Sequence, residues 1–284
     1  MKPKNIPKQK WSKKRYEKIM ECVIVIDTND DPNKLYLCVE SGIGYDYTFT
    51  MFRVFESYNW MSYVYGLQKQ QDGRNYDAVI PNYFDPDDFE AIRRERPQQK
   101  RLRILHNGTF YGTKTPVPFL EALAQLRAHP LLEDIEVYFV GASQQHVLQS
   151  LIDVFALAPL VTVLEYMPHR QSLQHLLDAD LLLLVSGADA KWIPAKLFEY
   201  LAVQKPILAV VEPHGAAAQL IKESKAGTVV DHHSPAAIAD GLVRLIQSIR
   251  AGNIPSAETE FVAQFDYKVL TRQLARCFDE ICGY

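Results

Sequence analysis

From about residue 101 onward the chain predicts an α/β fold built on a parallel, doubly wound sheet, on three observations. Apolar, strand-like runs of four to seven residues alternate with segments whose apolar residues recur at helical spacing. Those strand-like runs are apolar on both faces, which requires helices packed on either side of the sheet. The chain has 284 residues, enough for one large or two modest domains with real cores, and two is the expectation.

The elements follow in order. "LRILHNG" reads as a strand, "PVPFLEALAQLRAH" as a helix, "IEVYFVGA" as a strand and "QQHVLQSLIDVFAL" as a helix. "LVTVLEYM" (strand), "RQSLQHLLDA" (helix), "DLLLLVS" (strand) and "PAKLFEYLAVQ" (helix) come next. "KPILAVV" (strand), "GAAAQLIKES" (helix), "GTVVD" (strand) and "PAAIADGLVRLIQSIR" (helix) complete a Rossmann-like domain. Ser256 to Ile281 is helix-patterned but follows the loop "AGNIPS", so it can pack elsewhere than on its own sheet.

The first hundred residues are less regular. "CVIVID", "LYLCVES" and "YDAVIPN" look like strands, and "SGIGYDYTFTMFRVFESYNWMSYVYGL" is dense in aromatics, which at this density belong to a core more often than to a ligand platform. "NYFDPDDFEAIRRERPQQKR", rich in charge and proline, reads as an interdomain connection, with a boundary near residue 98.

Composition excludes several classes. Hydrophobic content of 48%, charged content of 23% and a formal net charge of -3 describe an ordinary globular chain with no bulk attraction to nucleic acid. Lys2, Lys4, Lys8, Lys10, Lys13, Lys14, Arg15 and Lys18 form a basic N-terminal arm, read first as solvated and second as a contact for anionic lipid. No run is apolar and long enough to span a membrane and "MKPKNIPKQKW" lacks a secretory centre, so the expected location is the cytoplasm, with the membrane surface as an option. Cys22, Cys38, Cys277 and Cys282 have no metal-ligand spacing and read as buried thiols.

Open parallel sheets bind ligands at the carboxyl ends of their strands. After "LRILHNG" come Gly108, Gly112 and Lys114 ahead of a helix, a loop suited to phosphate though without P-loop spacing. After "DLLLLVS", the loop "GADAKW" leads to Pro194 in a first-turn position, which puts Lys196 and Glu199 on one helix face at i, i+3 while Leu197, Tyr200 and Leu201 cover the sheet. A carboxylate so placed can accept two hydrogen bonds from a ribose diol, although spacing alone favours a plain Lys/Glu surface pair. "NDDPN" and "DPDD" read as turn and cap residues, and no acid pair at a strand end calls for a metal.

"IPAKLFEYLAVQKPILAVV" followed by "AGTVVD" resembles the nucleotide-sugar-binding half of GT-B glycosyltransferases, in particular the retaining group 1 family with its lipopolysaccharide and capsule enzymes. "VTVLEYMPHRQSLQHLLDADLLLLVS" resembles the strand-helix-strand before that family's site, and "YDAVIPNYFDPDDF" its interdomain signature. The likeness covers residues 76 to 284.

The resemblance implies a shortened α/β acceptor-side domain over residues 1–98, a donor-binding domain over 99–255 and a C-terminal helix over 256–284 crossing back to the first. It implies sugar transfer from a nucleoside diphosphate sugar to a glycan or lipid-linked acceptor, hexosyl in type, with retention and without a metal or other cofactor. Glu199 matches the acid that holds the ribose hydroxyls, and Lys114 matches the lysine that binds the diphosphate. His169 and Arg170 match the loop near the base. Gly108 and Thr109 fall in the phosphate loop, and Pro194, Lys196 and Leu197 in the donor-binding segment. Lys114, Lys191 and Lys196 are the catalytic candidates.

Three departures from the family pattern stand out. Lys191 occupies the position of an acid eight residues before Glu199, and Thr109 that of an arginine. The N-terminal half is short and has no histidine before His106. These leave two alternatives beside the transferase: a catalytically silent nucleotide-sugar-binding subunit needing a partner, and a nucleotide-sugar epimerase, against which the "FEYL" segment argues. A short N-terminal half would also leave apolar surface for a homo- or hetero-oligomer.

Overall fold

A computed structural model describes residues 23–27, 36–43, 52–55, 61, 64–65, 77–90, 92–94, 101–110, 114–141 and 145–282. The basic N-terminal arm, Gly112, Cys22, the side chains of Cys38 and Cys282, and most of the aromatic stretch after Ile43 lie outside these residues. The chain divides into two compact units, Met1–Pro81 together with Gln273–Tyr284, and Asn82–Arg272.

The first unit holds a four-stranded sheet in the order β1 (Val23–Asp27), β2 (Tyr36–Ile43), β3 (Phe52–Phe55) and β4 (Asp77–Val79). β1 and β2 are antiparallel, whereas β3 pairs in parallel with both its neighbours. Strand β3 lies inside the aromatic stretch and has no counterpart in the sequence reading, because "FRVF" alternates with an arginine that is itself buried. Arg53 is 1% exposed and lies 5.4 Å from the Phe55 ring centroid and 5.2 Å from that of Tyr65, so ring faces cover its guanidinium.

The second unit is the predicted sheet. β5 (Leu102–Asn107), β6 (Ile135–Val140), β7 (Val161–Leu164), β8 (Leu181–Gly187), β9 (Ile207–Val211) and β10 (Gly227–Asp231) are all parallel, in the order β10-β9-β8-β5-β6-β7. Chain order reverses at β5: the first crossovers lead outward to β6 and β7, and the next returns to β8 on the other side. The crevice between β5 and β8 is therefore the topological switch point, where two crossovers depart in opposite directions and ligands bind in such sheets.

Helices cover both faces. Preceding the sheet is α1 (Asp87–Glu90), and α2 (Val117–Gln125), α3 (Gln145–Val154), α4 (His169–Asp178), α5 (Lys196–Ala202), α6 (Ala216–Ser224) and α7 (Pro235–Arg250) follow its strands. α2 stops short of the predicted helix, because His129 caps a 3-10 turn over Pro130–Asp134 instead. Phe119, Phe139, Leu183 and Leu242 belong to the core on one face, and Leu105, Leu182, Phe198 and Ile221 to that on the other. β8 is buried at every position, which accounts for its unbroken apolar run. Phe84, Phe89 and Ile92 also pack into the second core. The last segment resolves into α8 (Thr259–Ala263) and α9 (Tyr267–Cys282). No helix among the described residues is long and apolar enough to cross a membrane.

Candidate functional site

Strands β5 and β8 pair only through Ile104 with Leu181 and Leu105 with Leu182, and beyond that point they part. Parting leaves buried backbone groups that must find partners elsewhere. The His106 ring supplies one: Nδ1 lies 2.9 Å from the Leu183 carbonyl oxygen, and since a carbonyl can only accept, Nδ1 carries the proton. Tyr200 on α5 supplies another. Its hydroxyl accepts from the Asn107 N–H at 2.8 Å and faces the Leu183 carbonyl at 3.4 Å.

Asn107 also ties in α4, since its side-chain Nδ2 donates to Ser172 Oγ at 2.6 Å. The last residue of β5 thus positions both helices that carry the predicted ligand-binding side chains. Burial pushes the Tyr200 phenol pKa far up, so the hydroxyl stays protonated. Replacing Tyr200 with phenylalanine leaves the buried Asn107 N–H without a partner and is expected to cost about 1–3 kcal/mol. A denaturant-unfolding midpoint indistinguishable from that of the parent would refute this.

The helix carrying Glu199 begins slightly later than the sequence reading placed it. Ala195 is its N-cap, already in helical conformation, and Pro194 stands just before, its carbonyl accepting from the Leu197 N–H at 2.9 Å. The consequence for the site is small: Lys196 and Glu199 still share a face, with Lys196 Nζ 3.2 Å from Glu199 Oε2. The other carboxylate oxygen, Oε1, is 3.0 Å from His169 Nε2, and His169 Nδ1 is 3.7 Å from Asp88 Oδ2. Glu199 is therefore oriented from two sides by cationic or N–H groups, one of them delivered by α4. Leu197 is buried beneath it, and Arg170 lies exposed on the same α4 turn as His169.

The phosphate-loop candidates fall at the end of β5. Gly108 has φ +149°, a backbone conformation that side-chain-bearing residues rarely adopt, and Thr109 beside it is exposed. Lys114 reaches across to the loop after β8, where its Nζ lies 3.1 Å from the centroid of the Trp192 ring. That loop is anchored by a close backbone approach: the Ala216 N–H donates to the Ala190 carbonyl at 2.7 Å, and a Cβ on Gly215 would come within 3.1 Å of Ala190. Lys191 turns to Asp189, 3.8 Å away.

Burial holds the His106 pKa down at about 4, opposed by its hydrogen bond to the Leu183 carbonyl and aided by the charges of Lys114 and Lys196. Among the described residues, the buried side-chain atoms without a hydrogen-bond partner are His106 Nε2, Ser186 Oγ and both ring nitrogens of His232. All lie at or just beyond the carboxyl ends of β5, β8 and β10. An unpartnered buried polar group costs free energy, and of these His106 Nε2 and Ser186 Oγ stand on the two strands that flank the switch-point crevice, whereas His232 follows the edge strand β10.

His106, Asn107, Ser172, Tyr200 and Trp192 do not figure in the sequence reading as site residues. A faint signal exists for two of them: "HN" closing the apolar run "LRIL" puts polar groups at the end of a buried strand, where they need partners or ligands.

Residues 87–252 match the family model described as "Glycosyl transferases group 1". No curated protein matches the chain. Among solved structures, a glycosyltransferase from Rickettsia africae is similar at a TM-score of 0.63 and 16% identity, over 81% of this chain and 63% of that one. The sucrose-phosphate synthase of Thermosynechococcus elongatus is similar at 0.62 and 16%, over 82% of this chain and 59% of that one. Anabaena HepE, solved with UDP and glucose, gives 0.63 and 18%, over 82% and 64%. The chain thus spans less than two thirds of the length of these neighbours, whose likeness lies in the fold. Since the family match takes in the switch-point strands, the Glu199 helix and most of the sheet, and extends over more than half of the chain, the protein belongs to the group 1 glycosyl transferases.

Proposed function

We propose that the crevice between β5 and β8 binds a nucleoside diphosphate sugar and that the protein transfers the sugar to a glycan or lipid-linked acceptor. The observation that carries this reading is the convergence of Lys114, Lys196 and the doubly held carboxylate of Glu199 at one switch point. Two cations suit a diphosphate, and an oriented carboxylate suits a vicinal diol. Glu199 holds the ribose, its Oε1 exchanging His169 for a hydroxyl. Lys114 exchanges the Trp192 face for phosphate oxygens, a stronger partner for an ammonium than a ring.

In the transfer step the bond from the anomeric carbon to the diphosphate breaks, one to the acceptor oxygen forms, and the acceptor hydroxyl's proton passes to the leaving diphosphate. Negative charge grows on the leaving phosphate, and Lys114 and Lys196 stabilise it more in the transition state than in the ground state. Retention of configuration, transfer without a metal and a hexosyl donor are the finer parts of the proposal. They rest on the resemblance to the retaining branch of the family.

Lys191, a cation at an acid's position, favours one second reading: a subunit that binds the sugar nucleotide without turning it over. Both readings require the donor site, so calorimetric titration with UDP, GDP, ADP and dTDP comes first. One nucleotide is expected to bind, and Glu199→Ala and Lys114→Ala should each weaken it by about 1.5–3 kcal/mol, ten- to a hundredfold. Absence of binding by any nucleotide, or unchanged affinity in both variants, would remove the donor site. Release of nucleoside diphosphate from a bound sugar nucleotide then separates the transferase from the silent subunit.

A further inference from the structure

His106 is 5% exposed and its ring is held on three sides. Phe110 stacks on it with centroids 4.5 Å apart, Phe139 meets it edge-on at 6.0 Å, and Nδ1–H donates to the Leu183 carbonyl. That donation leaves Nε2 as a bare acceptor, and among the described residues nothing donates to it. Among the described residues, and apart from its chain neighbours, a Cβ built on Gly108 would have only His106 Nε2 within 4 Å, at 3.7 Å. The lone pair therefore borders the space that the missing side chain of Gly108 leaves open, at the carboxyl end of β5 where the switch-point crevice begins.

We propose that His106 is a sugar-recognising residue of the donor site, its Nε2 accepting a hydrogen bond from a hydroxyl of the transferred sugar. The inference rests on the donor-site reading above and goes beyond it by naming which part of the donor this atom reads. An acceptor lone pair repels phosphate oxygens, which carry no proton at neutral pH, so the diphosphate is not its partner. The ribose diol is assigned to Glu199. What remains with protons to give, next to the phosphates that Lys114 and Lys196 neutralise, are the hydroxyls of the sugar. Ring stacking and the Leu183 bond hold the acceptor in place beforehand, so little ordering cost is left to pay on binding.

The test is calorimetric titration with matched pairs, UDP-glucose against UDP, GDP-mannose against GDP, ADP-glucose against ADP and dTDP-glucose against dTDP. The proteins are the full-length parent, His106→Asn and His106→Gln. Asparagine keeps an amide donor near the position of Nδ1 and removes the Nε2 acceptor; glutamine restores an acceptor farther out. His106→Asn is expected to weaken the sugar nucleotide about five- to thirtyfold while leaving the matching nucleoside diphosphate within about twofold, and His106→Gln to recover part of the difference. Equal loss for both ligands would assign His106 a purely structural role, and no loss for either would mean that a water satisfies Nε2; each result overturns the proposal. So does a parent that binds sugar nucleotide and nucleoside diphosphate equally well. A parent that binds neither ligand of any pair removes the donor site itself, and this inference with it, which distinguishes that failure from the others.

Discussion

Gly227→Ala is expected to destabilise the second unit by about 3 kcal/mol or more, since among the described glycines it is the one where an added Cβ meets main chain most closely. Gly227 opens β10 opposite Ile207 of β9, and an added Cβ would sit 1.9 Å from the Ile207 carbonyl oxygen and 2.7 Å from its backbone nitrogen. The obstacle is main chain, so no rotamer change relieves it. Relief requires β10 to move away from β9, which breaks the Ile207 N–H to Ala226 carbonyl bond of 3.0 Å and loosens Val230 from the core. For a unit of this size such a loss corresponds to a fall in Tm of roughly 6–12 °C. A variant melting within about 2 °C of the parent would show that the strands part without penalty. The effect should reach the site only indirectly, since β10 is an edge strand and β8, whose end carries the Trp192 loop, pairs with the other side of β9.

The same glycine shows what was legible in sequence. "GTVVD" after "KPILAVV" reads as two adjacent apolar strands, and the structure places them in register, Gly227 against Ile207. The alternation of runs located every strand of the second unit, because β8 and β9 are buried at every position, the others keep enough of the same apolar pattern, and turn residues bound each run. Strand β3 was not legible, since its pattern depends on an arginine enclosed by ring faces, a tertiary arrangement without periodic signature. At the site, Lys196 and Glu199 were legible because they are neighbours on one helix turn. The bond from Glu199 to His169 spans 30 positions, and those from Asn107 to Ser172 and Tyr200 span 65 and 93, so spacing could not reveal them. Those distant bonds arise from the parting of β5 and β8, a property of strand order.

Lowering the pH should expose the cost of keeping His106 neutral. The folded protein holds its pKa at about 4 against an ordinary value of 6.5, so between these values the unfolded chain takes up a proton that the folded one refuses. Stability due to this group is fully present above pH 6.5, falls as pH drops through the window and levels off below about 4, a total of about 3 kcal/mol. Unfolding free energies measured from pH 7.5 to 4.5 for the parent and His106→Asn should converge by about 2–3 kcal/mol toward the acid end, because the other titrating groups are common to both and cancel. Parallel curves would show that the ring is not buried as a neutral group. Nucleotide-sugar binding should follow a different profile. Its acceptor is lost only when the folded ring takes up a proton, near pH 4, so at pH 5 the fold is already weakened while Nε2 remains able to accept. The burial that costs the protein acid stability is thus the same feature that keeps Nε2 available as an acceptor down to about pH 4.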